Sequence, residues 1–473
     1  MRLLLLPWAV ALALVLVGTG PSAAAAYTKT DLSLTMSDGV ELAATLYEPT
    51  GTAPSGGWPG IIMFHGLGGT RAQTNALAEA SFANEGYVVL TFDARGHGQS
   101  GGVTSIDGPR EIQDTSELFD WLAARPEVDS HHIGAFGISL GGGAVWRSLV
   151  EGVPFAAVET AETWTDLYQA LAPQNLAKSG AVLQFLSDVP SSRFDPSVLA
   201  IKQDALASSD PGALHAFTDV RSSRPDLGRI TTPALIFQGR RDFAFGLEQG
   251  IELYRGLAGP KRLYIGDFGH APSTFPGPDI GVVIAEASDW FDRYLKGTKN
   301  GIDTRDPVEL APDPFREAQN VSYKTIPPTR TVVLRGKGRS SINGSGKAVR
   351  QLGKATARLE TFGSAVVRVP VTVGSGWTHL DAVLTARTPG GSTVIVADGG
   401  VPTQPGKRTV SIRLLSDATL IPRGSRLALT LAGSSVAQDP ANLLYIAGVP
   451  AAAHIAIGAA TTSLPVLRRP ISG

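Results

Sequence analysis

The run His132-Ile-Gly-Ala-Phe-Gly137-Ile138-Ser139-Leu140-Gly141-Gly-Gly-Ala-Val-Trp-Arg-Ser-Leu-Val150 decides the fold. An apolar strand pattern leads into Gly-Ile-Ser-Leu-Gly, and a helix-forming run follows. A serine on a sharp strand-to-helix turn is pushed clear of the backbone, and flanking glycines allow the close approach this needs. The bare string is a weak signal in a chain with 54 glycines. Gly98-Gln99-Ser100-Gly101-Gly102 matches it too, but lies in a polar loop with neither strand nor helix beside it. Setting therefore selects Ser139.

Outward from that turn, strand and helix patterns alternate. Upstream, 31–36 and 40–47 alternate with period two around Ser37-Asp38-Gly39, which predicts a hairpin. Gly60-Ile-Ile-Met-Phe and Tyr87-Val-Val-Leu-Thr-Phe read as buried strands, with 72–85 helical between them and 112–124 an amphipathic helix after them. Downstream come the strands Phe155-Ala-Ala-Val-Glu, Pro233-Ala-Leu-Ile-Phe and Arg262-Leu-Tyr-Ile, with helices over 247–257 and 282–295. Apolar strands alternating with amphipathic helices make a mostly parallel sheet covered on both faces. With the serine turn, this predicts the α/β-hydrolase fold over 27–300.

Two segments depart from the alternation. Residues 165–229 are helical in pattern and broken at Pro173, Pro190, Pro196 and Pro211. An insertion at this point predicts a cap over the sheet. Residues 301–328 are polar and Pro-rich, as in a linker or wrapping segment. From 329 to 473 short strands separated by Gly and Pro turns predict an all-β sandwich, with Leu443-Leu-Tyr-Ile446 as its last strand.

A serine hydroxyl becomes a useful nucleophile when a neutral imidazole takes its proton and a carboxylate fixes that imidazole's tautomer. In this fold the order along the chain is serine, acid, histidine. His270 follows the last sheet strand, where the base belongs, whereas His379 and His454 fall in the sandwich as surface or strand-edge residues. Asp242 ends the strand before it. Asp267 is the rival, read as a loop residue, and Glu159 and Glu162 are distant alternatives. The oxyanion donors are expected to be the backbone N–H groups of Leu140 and of Leu67, in His65-Gly66-Leu67-Gly68-Gly69. His65 precedes the serine and is read as structural. In Asp93-Ala-Arg95-Gly-His97-Gly the tempting reading of Arg95 and His97 is substrate contact. The favoured one is a turn pinned by an Asp93–Arg95 interaction and hydrogen bonds to neighbouring loops.

Composition bounds the rest. At 473 residues and 43% apolar, the chain has room for two or three domains and is not disordered. A net charge of −1 offers no footprint for nucleic acid. Without cysteine there is no disulfide, no thiolate chemistry and no Cys-ligated zinc. The eight histidines lack metal spacing, so neither metal nor cofactor is expected. Arg2, the apolar run Leu3 to Val17 and Ala24-Ala25-Ala26 have the layout of a cleaved secretory leader over 1–26. That run is shorter than the roughly 20 residues a spanning helix needs. The expectation is a secreted protein, with membrane anchoring the less favoured alternative.

The chain resembles the X-Pro dipeptidyl-peptidase and cocaine-esterase-like serine hydrolases. The resemblance rests on Met36-Ser-Asp-Gly-Val-Glu-Leu-Ala-Ala-Thr-Leu-Tyr-Glu-Pro, Asp93-Ala-Arg-Gly-His-Gly-Gln-Ser-Gly-Gly, Ala397-Asp398-Gly399-Gly400 and the run Thr409 to Leu431. It implies Ser139, Asp242 and His270 as the triad, a C-terminal jelly roll beside the site, and a small-molecule ester or peptide substrate. Two features depart from those relatives. Leu140 stands where they often have an aromatic residue. The His65-Gly66-Leu67 loop stands where they often supply a Tyr hydroxyl. The function implied is hydrolysis of ester, amide or X-Pro peptide bonds through an acyl-enzyme. The reading of another class is an inactive secreted carbohydrate- or surface-binding protein.

Overall fold

A computed structural model describes residues 26–437 and 442–472; the expected leader therefore lies outside the described residues, apart from Ala26. Ten strands form one sheet in the order β1-β2-β4-β3-β5-β6-β7-β8-β9-β10. β1 (Tyr27–Thr35) and β2 (Glu41–Pro49) are the antiparallel hairpin. β3 (Trp58–Phe64), β4 (Val88–Phe92), β5 (Val128–Ile138), β6 (Ala157–Ala161), β7 (Ala234–Gly239) and β8 (Lys261–Gly266) are parallel neighbours. The segment read as linker or wrapping extends this sheet through β9 (Val308–Leu310), parallel to β8, and β10 (Val321–Tyr323), antiparallel to β9.

Strand residues alternate between two cores. Ile62, Leu90 and Ala135 point to the face covered by helices α2 (Pro109–Ala123), α3 (Leu140–Val150) and α8 (Leu247–Gly256). Ile61, Val89 and Phe136 point to the face covered by α1 (Arg71–Ser81) and α9 (Ile280–Leu295). Two buried faces explain why these strands read as unbroken apolar runs.

The insertion folds as four α-helices with short 3-10 turns between them: α4 (Leu167–Leu171), α5 (Ser179–Asp188), α6 (Pro196–Ala207) and α7 (Pro211–Asp219). Two of its prolines start α-helices. Pro196 and Pro211 follow Asp195 and Asp210, whose carboxylates accept the amides of Ser197 and Ala213. Proline suits that first position, where its missing N–H costs nothing.

The C-terminal half is a sandwich of antiparallel strands: a sheet containing Gly363–Val373, Gly406–Asp417 and Ala460–Leu467 faces one containing His379–Arg387, Thr393–Pro402 and Arg426–Ala432. One core, with Val367, Ile412, Leu384 and Leu429 among its members, lies between them. Leu443 to Ile446 is not a strand. Its backbone bonds to Ser435, Ser179 and Gly180 in place of a sheet neighbour. His379 is buried, held to the carbonyl of Gly433 at 2.9 Å. The sandwich docks on the strand carrying the predicted acid, where buried Arg240 pairs with Glu360 and bonds the Ala418 carbonyl at 3.0 Å.

Candidate active site

Ser139 sits between β5 and α3 with φ +53° and ψ −114°, a conformation costly for any residue with a Cβ. Its surroundings hold it there. Its amide donates to the Ala161 carbonyl at 2.9 Å, and its carbonyl accepts from the Thr163 hydroxyl at 2.8 Å. The flanking glycines are a packing requirement. A Cβ at Gly137 would stand 2.4 Å from the Gly141 carbonyl oxygen, and one at Gly141 2.5 Å from that of Phe64.

Ser139 Oγ lies 3.0 Å from His270 Nε2, and His270 Nδ1 lies 2.8 Å from Asp242 Oδ2. His270 also donates its backbone amide to Asp242 Oδ2 at 3.1 Å. The other carboxylate oxygen accepts the amides of Ala244 and Phe245, each at 2.8 Å. Asp242 is fully buried, and four donors fix it. Sequence reasoning named these three residues, and the structure brings them into one hydrogen-bonded line.

Leu67 and Leu140 flank the serine. Gly66, next to Leu67, is packed so closely that a Cβ there would lie 3.4 Å from Ser139 Cβ. His65 is buried. Its Nε2 accepts the Ala94 amide at 2.9 Å and its Nδ1 faces the Gly66 carbonyl at 2.7 Å, so it ties the loop to the turn after β4. Burial lowers the pKa of both His65 and its neighbour His97, the latter to about 3, and both stay neutral.

The Asp93 turn is pinned, though not by the pair expected. Asp93 binds Arg71 Nη1 at 2.5 Å and the amides of Arg71 and Gln99, while Arg95 binds Asp114 and Asp38. Arg95 points away from Asp93 because two carboxylates on α2 and in the β1–β2 turn offer its guanidinium forked partners.

The rival acids have other surroundings. Asp267 donates its amide to Asp279 at 2.9 Å, and Glu159 is buried towards Glu286. Glu162 is nearer than its distance in sequence suggested: Oε2 stands 3.8 Å from His270 Nδ1. Burial raises its pKa to about 8, and it makes no hydrogen bond to the imidazole Nδ1, which Asp242 alone holds. For His270, burial alone would lower the pKa. The charge and hydrogen bond of Asp242, with Glu162 behind it, outweigh burial and raise it to about 9. Glu162, Asp242 and His270 offer atoms within 4.8 Å of one another, a spacing a cation could use. The Nδ1 atom already faces Asp242 in a hydrogen bond, which suits the set to a proton.

Two cavities meet at Ser139. An outer cleft of about 540 Å³ runs between α5, the His270 loop and the sandwich residues Ile395, Leu443 and Ile446. An inner cavity of about 60 Å³ lies under the cap, walled by Leu140, Trp164, Leu167, Leu171, Val182, Leu186, Val198, Ile201, Phe217 and Phe245, with Lys202 as its one charged residue. Leu67 and Phe185 border both. Sequence reasoning missed these walls, since cap residues far apart in the chain supply them.

Residues 38–272 match the family described as X-Pro dipeptidyl-peptidase (S15 family). The chain is 34% identical over 146 residues to the quorum-quenching protein AidA of Acinetobacter baumannii, covering 29% of this chain and 45% of that protein. It is 29% identical over 150 residues to cocaine esterase of a Rhodococcus strain, covering 30% of this chain and 24% of the esterase. The chain thus spans less than half the length of either relative. A CocE/NonD family hydrolase from Staphylococcus aureus superposes with a TM-score of 0.73 at 15% identity, over 93% of this chain and 94% of the other. Both the sheet with its helices and the sandwich belong to that common fold.

Proposed function

We propose that the chain, which matches the X-Pro dipeptidyl-peptidase (S15 family) model over residues 38–272 and is similar to cocaine esterase, is an exported serine esterase acting on esters with an apolar acyl group. The observation carrying this reading is the position of Ser139, in contact with His270 and bordering both a largely apolar inner cavity and a wide outer cleft. In the proposed reaction the acyl chain enters the inner cavity and the alcohol lies in the outer cleft. His270 Nε2 takes the Ser139 proton as Oγ bonds to the carbonyl carbon, and Asp242 holds the imidazolium. The amides of Leu67 and Leu140 face the oxyanion, each such donor being worth ~3 kcal/mol in the transition state. The tetrahedral adduct collapses, the C–O bond breaks, and His270 protonates the departing alcohol. Water then repeats the sequence on the acyl-enzyme, and the carboxylic acid leaves.

An apolar inner wall favours an ester over a dipeptide with a free amino terminus. An ammonium there would lose its hydration with no carboxylate among the lining residues to replace it. The test is fluorophosphonate labelling of the purified protein, followed by turnover of a p-nitrophenyl ester series and an X-Pro anilide. Labelling with ester turnover favouring apolar acyl groups is expected. Faster turnover of the anilide would overturn the substrate assignment, and a folded protein that does not label would overturn the enzyme mechanism.

Export rests on Arg2, the run Leu3 to Val17 and Ala24-Ala25-Ala26. N-terminal sequencing of protein from the culture medium should start near Tyr27. An intact Met1 on cell-bound protein would refute it.

A further inference from the structure

Lys178 opens α5 in the cap and is 1% exposed. Among the described residues it has no carboxylate within ion-pair distance. Its ammonium donates to two backbone carbonyls, Phe243 at 2.7 Å and Ala244. These belong to the short loop after Asp242, whose next two amides, Ala244 and Phe245, hold Asp242 Oδ1. The same loop is thus gripped from both sides: its amides hold the carboxylate and its carbonyls are held by the cap. Burying an ammonium without a counter-ion is costly, and backbone carbonyls could have been met by neutral donors at less expense.

The two residues after Lys178 lock it in place. Ser179 Oγ accepts the amides of Ile446 and Ala447 at 3.0 Å each, and the Gly180 amide donates to the Leu444 carbonyl at 3.0 Å. A Cβ at Gly180 would stand 1.5 Å from the Leu443 carbonyl oxygen, so only glycine lets the sandwich approach this closely. Lys178-Ser179-Gly180 is where cap, acid loop and sandwich meet.

We propose that Lys178 is a positioning residue for the hydrolytic reaction, clamping the loop that aims Asp242 at His270 and placing a positive charge behind that pair. The proposal rests on the esterase mechanism above. The charge acts on His270 in one direction. Asp242 and Glu162 raise the imidazole's proton affinity, Lys178 lowers it, and Asp188 on α5 also faces it. Lys178 itself is pushed down to about 8 by burial, against the pull of Glu248 and Asp242. Lys178 carries its charge below about pH 8, so without it neutral imidazole would be scarcer over that range.

The experiment is the pH dependence of kcat/KM and of fluorophosphonate labelling, per folded molecule, for wild type, K178M, K178Q and K178R. Wild type should label. K178M should lose roughly tenfold to a hundredfold in kcat/KM, the scale of a loosened reacting group, and its acidic limb should fall away further below about pH 8, where wild-type Lys178 is charged. K178Q keeps two donors for the carbonyls but no charge, so its limb should fall away likewise with a smaller loss. K178R should restore the limb towards wild type. A purely structural lysine would change thermal stability and leave the limb where it was. If K178M does not fold, K178Q decides by the same criterion. Wild type that labels, with neutral variants matching its pH profile, overturns this inference alone. Wild type that does not label overturns the proposed mechanism and this inference together.

Discussion

Two serines in this chain sit in the same five-residue string. Gly137-Ile-Ser139-Leu-Gly141 and Gly98-Gln-Ser100-Gly-Gly102 are both tight, glycine-flanked and buried, the serines being 8% and 1% exposed. Their hydroxyls are spent differently. Ser100 Oγ donates to the Asp93 carbonyl at 2.5 Å and accepts the Ala43 amide at 2.9 Å, so the backbone takes both its donor and an acceptor lone pair. Ser139 Oγ faces an imidazole at 3.0 Å and borders both cavities. The turns differ for a physical reason. At Ser139 a strand ends and a helix begins, forcing positive φ and lifting the side chain off the backbone. At Ser100 the chain merely doubles back beneath the hairpin, and the hydroxyl serves as a fastener.

The largest expected effect separates these roles. Ser139→Ala should abolish fluorophosphonate labelling and lower kcat by a factor on the order of 10⁶, as loss of a triad nucleophile does. Labelling that survives this change and disappears with Ser100→Ala would reverse the comparison. Next in size is the acid. Asp242→Asn should cost on the order of 10⁴ in kcat, because the amide presents the wrong partner to Nδ1. Glu162→Gln, which changes a carboxyl 3.8 Å from Nδ1 with no hydrogen bond to it, should cost less than about tenfold, the effect of changing a neighbour that does not hold the imidazole. Equal losses from the two, read from single-turnover rates, would mean that both carboxyls orient His270.

A smaller, graded effect should appear in pH dependence. Only neutral His270 can take the Ser139 proton, and its pKa is raised to about 9. Activity should therefore climb through the alkaline range, with an acidic limb well above the 6.5 of an ordinary imidazole. The sign for stability is opposite. A raised folded-state pKa contributes stability fully present below 6.5, and that contribution is lost as pH rises through about 9. A limb near 6.5 would show that Asp242 does not hold an imidazolium here.

The hydrogen-bonded residues Ser139, Asp242 and His270 were legible because their order and strand ends are local facts: each lies within a few residues of a buried strand that period and composition reveal. The six parallel strands β3 to β8 were legible for the same reason, being apolar runs between helices, whereas β9 and β10, of three residues each, lay in the segment read as a linker. What escaped depends on contacts between distant segments. Leu443 to Ile446 has strand composition, but its backbone is claimed by Ser179 and Gly180, about 265 residues upstream, through the tertiary contact that overrides local propensity. Arg95 was assigned to Asp93 by proximity in sequence, whereas Asp38 and Asp114 reach it through the fold. Glu162 looked remote from His270 because β6 and the His270 loop become neighbours only once the sheet is built.

The smallest effect on activity should come from the second serine, and it tests the comparison from the other side. Ser100→Ala removes the hydroxyl that accepts the Ala43 amide and donates to the Asp93 carbonyl, leaving two buried backbone groups in search of partners. Losing such a partner costs about 1–3 kcal/mol, which should appear as a lower urea midpoint with an unchanged slope. The Asp93 turn also carries the amide of Ala94, held by His65 Nε2, and His65 precedes the loop that bears Leu67. The fastener is therefore linked to the oxyanion loop through one imidazole. Because Asp93 keeps its bonds to Arg71 and Gln99, that imidazole should stay in place and kcat per folded molecule should fall less than about threefold, a loss of under 1 kcal/mol in the barrier. A larger fall with undiminished stability would mean that Ser100 works in the reaction through His65, and the division between fastener and nucleophile would have to be redrawn.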